Sequence, residues 1–254
     1  MRFAICNTMN NLFILLGLLP SLAWLIFFLK EDIHPEPKKV IIKVFFAGFF
    51  ITFAVIAVQY LFQDIFDFYQ LSGVHPFALF VFSLTEEISK FLAAYLIVRK
   101  SKFFDEPIDA MIYMIVAALG FAMVENLAIM FSIKEFSDAV GIITLRFVGA
   151  TLLHALSSGI VGYWWAKSIV TTQKIRINTN VPNTTRNNVI GVYSDNSGAF
   201  VISGRILIGI LIASVLHAFF NYLIIITENT VIYSIIFLTI MAMFIFWDFE
   251  KVKK

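Results

Sequence analysis

Apolar residues run along this chain in seven long blocks, with polar residues gathered between them. The blocks cover residues 11–29, 40–62, 76–98, 107–131, 147–166, 202–226 and 231–247. A hydrocarbon layer about 30 Å thick takes about 20 apolar residues of helix to cross. Each block is near that length, whereas a strand of an outer-membrane barrel would be about ten residues of alternating character. Backbone surrounded by lipid must satisfy its hydrogen bonds internally. The blocks therefore predict an all-α fold, a polytopic membrane protein of about seven transmembrane helices.

Basic residues between the blocks alternate in number. Lys30, Lys38, Lys39, Arg99, Lys100, Lys102, Lys167, Lys174, Arg176, Arg186, Lys251, Lys253 and Lys254 fall on one side, against Arg2, Lys134 and Arg146 on the other. Cytoplasmic loops carry the excess of Lys and Arg. The alternation predicts an outside N-terminus and a cytoplasmic C-terminus. The first block has no small-residue cleavage site after it, so it reads as a signal-anchor.

Two connecting segments are more than short loops. Residues 132–146 place Ile133, Phe136, Val140 and Ile143 at helical spacing, which fits an amphipathic helix lying in the outer interface or a frayed helix end. Residues 171–200 are polar and read as a flexible cytoplasmic insertion or a loose hairpin. Asn183-Thr184-Thr185 within them is a glycosylation acceptor pattern on the wrong side for use. No internal repeat is visible, so the signature of inverted-repeat transporters is missing. Three regions are expected: 1–75 with two spans, a catalytic core 76–226 carrying the 171–200 insertion, and 227–254 with the last span and a basic tail.

Composition narrows the picture. Of 254 residues, 60% are hydrophobic and 14% charged, where a soluble domain has about 25% charged. Lipid is the solvent for most of this chain. The net charge of +2 gives no basic excess for nucleic acid. With Cys6 the single cysteine, a disulfide within the chain and a cysteine-rich zinc site are both excluded.

Against that background, the ionisable residues inside the blocks stand out. They are Glu86, Glu87 and Lys90 in the third, Glu125 in the fourth, His154 in the fifth and His217 in the sixth. A charge at the middle of a span costs about 2.5–3.5 kcal/mol, so partners, water or a metal must offset them. Counting from the block ends places Glu86, Glu125, His154 and His217 roughly 9–15 Å below the outer surface. A lone buried histidine is commonly a helix–helix hydrogen bond, and a lone Glu–Lys pair a structural one. Convergence of four helices on one level favours a site.

Two histidines and a carboxylate form a catalytic zinc set with an open position for water, and a further carboxylate can take the water's proton. The expected arrangement places Glu125, His154 and His217 around a divalent metal, Zn2+ by this donor set, or around the attacking water. Glu86 is then the general base, with Glu87 and Lys90 tuning the charge. Asn221, one turn after His217, would donate to a developing oxyanion. Phe121 and Asn126 are expected to pack, Ser158 and Gly162 to allow close helix contact, and Arg146 to anchor at the interface.

The motifs E-E-x-x-K (Glu86, Glu87, Lys90), F-x-x-x-E-N (Phe121, Glu125, Asn126) and H-x-x-x-N (His217, Asn221), in that order, resemble the PrsW family of membrane proteases, part of the wider CAAX-protease and bacteriocin-processing superfamily. Asn221 stands where many members carry Asp. The resemblance implies a multi-pass endopeptidase of the bacterial plasma membrane. Its expected partner is a single-span membrane protein, an anti-sigma factor cut first on the outer side. It also implies that Glu86 or Glu87 activates water across from His217 and Asn221, with or without a metal. Read from residues alone, the buried Glu, Lys and His groups also fit a proton- or cation-coupled transporter, or the polar core of a membrane scaffold.

Overall fold

The computed structural model describes residues 2–32, 34–99, 101–179, 192–194, 200–226 and 230–252. Among these, eight helices and one small hairpin follow in order: α1 Arg2–Phe28, α2 Lys38–Phe68, α3 Pro76–Val98, α4 Pro107–Ser132, α5 Phe136–Val148, α6 Ala150–Thr179, β1 Val192–Ser194, β2 Phe200–Ile202, α7 Gly204–Ile226 and α8 Thr230–Val252. Each of the seven apolar blocks is helical over most of its length. The helices α1, α2, α4, α7 and α8, together with the run Phe136–Val170, are long and apolar enough to cross a membrane. The 23 residues of α3 reach about 35 Å. Their apolar character is interrupted by Glu86, Glu87 and Lys90, all of them buried inside the bundle.

Of the two readings of 132–146, the structure takes the helix, ending at Val148. Ala139 and Ile143 of α5 are buried against Phe13 and Met130. Gly149 separates α5 from α6 with φ −108° and ψ −100°, and its N–H bonds the Leu145 carbonyl at 2.8 Å. Two parts of the polar 171–200 segment are among the described residues. Helix α6 continues through it to Thr179, and Val192–Ser194 pairs antiparallel with Phe200–Ile202, Tyr193 opposite Val201. Asn183-Thr184-Thr185 lies outside the described residues. The sixth block begins two residues later than expected, because Ile202 closes the hairpin and α7 starts at Gly204.

Helix α4 is the axis of the bundle. It is apolar along most of its length and the other helices surround it, so that Ile108 to Val124 are buried without interruption. Missing side chains let its neighbours approach. A Cβ on Gly120 would lie 2.0 Å from the Phe45 carbonyl oxygen of α2, and one on Gly162 of α6 would lie 2.5 Å from Met111 Cα. Membrane helices associate largely through such close packing, since lipid supplies no hydrophobic drive. One core cluster draws on residues from α1 through α8 except α5. At one end of the bundle the segment after α1 meets the segment after α3, with His34 Nδ1 2.9 Å from Glu106 and the Tyr113 hydroxyl donating to Glu36.

Candidate active site

Six helices, α2 to α7, aim polar side chains into the interior. On α3, Glu86, Glu87 and Lys90 occupy nearly two adjacent rows of one face. Lys90 is fully buried, with Nζ 2.9 Å from Glu87 Oε1, 2.8 Å from His154 Nδ1 and 3.6 Å from Glu86 Oε2. The Lys90 side chain reaches back toward the helix N-terminus, so residues three and four before it are both in range; Glu87 is the closer.

Glu87, also fully buried, receives donors from three directions. Its Oε1 accepts from Lys90 Nζ, from Ser157 Oγ at 3.0 Å and from His217 Nδ1 at 3.0 Å, and its Oε2 accepts from Ser158 Oγ at 3.1 Å. A carboxylate so saturated is a positioning group.

His154 on α6 is held from the other side. Its Nδ1 accepts from Lys90, so Nε2 carries the hydrogen and donates to Glu125 Oε2 at 3.0 Å. Arg146, in the last turn of α5, donates to the same oxygen from Nη2 at 2.9 Å and from Nε to Asn126 Oδ1. Asn126, fully buried, donates in turn to Thr151 Oγ1 at 3.1 Å. Thus Asn126 is a hydrogen-bonding residue as well as a packed one. Phe121 packs as expected, its ring centroid 5.6 Å from that of His154 and 4.8 Å from Lys90 Nζ.

Glu86 completes the centre. Its Oε1 accepts from Gln59 Nε2 of α2 at 3.1 Å. Its Oε2 is buried without a hydrogen-bond partner, 3.9 Å from His154 Nδ1 and 3.7 Å from His217 Nε2. The two imidazoles meet edge to face with centroids 4.9 Å apart. Because His217 Nδ1–H donates to Glu87, its Nε2 lone pair is directed toward Glu86. Ligand atoms from Glu86, His154 and His217 all lie within 4.8 Å of one another. Tetrahedral ligands around zinc at about 2.0–2.2 Å stand roughly 3.4 Å apart. Glu86 Oε2 stands about 0.3–0.5 Å further than that from each histidine nitrogen, and the set as a whole, within 4.8 Å, is wider than a closed metal site, with donors of the right chemistry.

Sequence reasoning grouped Glu125 with the two histidines and set Glu86 apart. The structure brings Glu86, Glu87, Lys90, Glu125, His154 and His217 together, with Glu86 the carboxylate between the facing histidine nitrogens and Glu125 on the far nitrogen of His154. Asn221 is half-buried one turn beyond His217 and, among the described residues, has no hydrogen bond to the cluster. Gln59, Arg146, Ser157 and Thr151 went unrecognised. Arg146 read as an interfacial anchor because its partner depends on the turn at Gly149, which no periodicity reports. Gly162 makes its expected close contact, while Ser158 also serves Glu87.

A second carboxylate group, Glu36, Asp105 and Asp109, lies at the other end of α4. Asp109 Oδ2 accepts the backbone N–H of Glu106 at 2.8 Å and of Asp105 at 3.0 Å, the N3 side of a capping box whose N-cap is Glu106. Burial pushes the Glu36 carboxyl above its ordinary value; hydrogen bonds from Tyr113 and Asp109 oppose the rise, and the charges of Asp32 and Asp105 add to it.

Three comparisons bear on this geometry. The profile of the PrsW family intramembrane metalloproteases matches residues 36–247, from the segment before α2 into α8. Protease PrsW of Geobacillus kaustophilus is 28% identical over 163 residues, 63% of this chain and 68% of that protein. The Bacillus subtilis Protease PrsW is 27% identical over 163 residues, 63% of this chain and 71% of its own length. That of Clostridioides difficile is 30% identical over 155 residues, 60% and 64%. No solved structure matches the chain. With its apolar helices enclosing a buried carboxylate–histidine cluster, the chain belongs to the PrsW family of intramembrane metalloproteases, multi-pass peptidases of the bacterial plasma membrane.

Proposed function

We propose that Glu86, His154 and His217 hold a divalent cation, zinc by the character of two imidazoles and a carboxylate, and that the chain hydrolyses a peptide bond of a single-span membrane protein near the outer face. An anti-sigma factor is the substrate class we favour. The observation that carries this reading is Glu86 Oε2, buried without a hydrogen-bond partner and facing the two histidine nitrogens. A bound cation would lower the pKa of water and polarise the scissile carbonyl.

The remaining residues divide the other tasks. Glu125 and Glu87 fix the two imidazoles through their opposite ring nitrogens, the usual support for metal-binding histidines. Glu125 holds the ring nitrogen of His154 that points away from Glu86, and Arg146 pairs with the same carboxylate oxygen, so its task is to orient that imidazole. Glu86 takes the ligand role that the sequence reading gives to Glu125. Lys90 balances the charge of Glu86 and Glu87. Asn221, on the His217 face of α7, supplies a donor to the oxyanion. The excess of basic residues on one side supports an outside N-terminus, with the C-terminus in the cytoplasm. All cluster residues except Gln59 fall within 76–226, which supports that region as the catalytic core.

One observation favours a second reading. Lys90 Nζ already sits 2.8 Å from His154 Nδ1, where a cation would bind. In that reading Glu86 takes the proton of water directly, and no metal is used. Metal content of the purified protein, unaltered and His217→Ala, measured beside peptide cleavage in the same detergent, separates the two. About one metal per chain, lost together with cleavage in the variant, supports the first reading. Cleavage by a metal-free protein supports the second.

A further inference from the structure

A cavity of about 280 Å³ adjoins the cluster, lined by residues of α4 to α8. Arg146 and Gly149 form part of its wall, and the fully buried Phe220, three residues after His217, forms another. Leu145, Val148, Ile224 and Ile235 are 37–51% exposed, so the cavity has a side that faces lipid. Absence of a side chain at Gly149 keeps the space clear, since a Cβ there would lie 2.5 Å from the Leu145 carbonyl oxygen and 3.7 Å from the Phe220 ring.

One polar group in this wall is unsatisfied. Ser234 is 8% exposed, and its hydroxyl has no hydrogen-bond partner among the described residues. The hydroxyls of Thr52, Thr85, Thr144, Ser214 and Thr239 instead turn back to the carbonyl four residues earlier, at 2.7–3.0 Å. Arg146 commits Nε and one Nη2 hydrogen to Asn126 and Glu125, two of the five donors a guanidinium carries.

We propose that this cavity is the substrate subsite, seating an apolar side chain beside the scissile bond while Ser234 Oγ and Arg146 donate to peptide carbonyls. The inference rests on the protease reading. A peptide bond within a regular helix has its carbonyl engaged, so a membrane-embedded substrate must unwind where it is cut. Carbonyls freed by unwinding need donors in an apolar setting; an acyl chain needs none. The volume also lies just below the range of about 300–1,000 Å³ for whole small-molecule sites, which suits a side chain or two.

The test places a photoreactive benzoylphenylalanine at Ile235 and, as a control, at the lipid-facing Phe244 of the same helix, in the full chain carrying Glu86→Gln. Each protein is reconstituted in liposomes with a biotinylated single-span peptide of Leu and Ala with one Gly-Pro pair in its outer third. Peptide adducts at Ile235 should exceed those at Phe244 by about tenfold, the discrimination of one filled apolar pocket. Ser234→Trp, or the smaller Ser234→Leu where that variant does not fold, should remove the excess. Equal adducts at the two positions, or acyl-chain adducts alone at Ile235, overturn the subsite. Its fate is separable from that of the protease reading. An Ile235 preference with no hydrolysis by the unsubstituted protein keeps the subsite and ends the protease reading, and hydrolysis without the preference does the reverse.

Discussion

Glu125 Oε2 and His154 Nε2 stand 3.0 Å apart, and that hydrogen bond leaves the other nitrogen of His154 facing Glu86 and Lys90. A ring held on one side has a fixed tautomer on the other. Glu125→Gln keeps the shape and weakens the hold, so metal affinity and peptide cleavage should each fall by about 10–100-fold. Paired zinc titrations and cleavage rates measure this. An unchanged affinity would show that His154 needs no orienter.

Lys90 is enclosed by Glu87, Glu86 and His154. Removing its charge strands two buried carboxylates. Lys90→Met should destabilise the protein by about 3–5 kcal/mol, and Lys90→Met combined with Glu87→Gln should recover part of that. Thermal unfolding in detergent reads both.

Close backbone contacts make a steric prediction. Gly162→Leu would force side-chain atoms into the backbone of α4 at Met111 and Ala110, 2.5–3.0 Å from where the Cβ must sit. Helix α6 would be displaced, and with it His154 and both serines that serve Glu87. The folded fraction recovered from membranes should collapse, whereas Gly141→Leu, with nothing within 4 Å of its Cβ, should leave it unchanged.

These contrasts mark what was legible in the chain. The helices were, because apolar length is a property of each block alone. So were Glu86, Glu87, Lys90, Glu125, His154 and His217, because ionisable residues in lipid are too costly to be incidental. Pairing between helices was not. An i, i+4 spacing favours Lys90 with Glu86, yet Glu87 lies closer; Glu125 is expected beside the histidines, yet it holds the outer nitrogen of one. Arg146 reaches Glu125 because the chain turns at Gly149, and Gln59 reaches Glu86 as an uncharged side chain that no insertion cost marks out. Register between helices decides such contacts, and a single sequence does not carry it.

The carboxylates at the far end of α4 give a pH dependence. Half-buried Glu36 has its pKa raised above the ordinary 4.5, so the folded protein holds a proton that the unfolded chain has released. Its stabilising contribution is complete below pH 4.5 and is lost as pH climbs through the raised value. The melting temperature should therefore decline over that rise more steeply for the unaltered protein than for Glu36→Gln, which has no proton to lose. Parallel slopes would remove Glu36 from the account.

Zinc K-edge X-ray absorption on the reconstituted protein tests the central claim, that Glu86, His154 and His217 converge on one cation. The account predicts a first shell of nitrogen and oxygen near 2.0–2.2 Å, with the multiple-scattering pattern of two imidazoles, falling to one in His217→Ala. Zinc bound without imidazole, or a spectrum unchanged by His217→Ala, would contradict it.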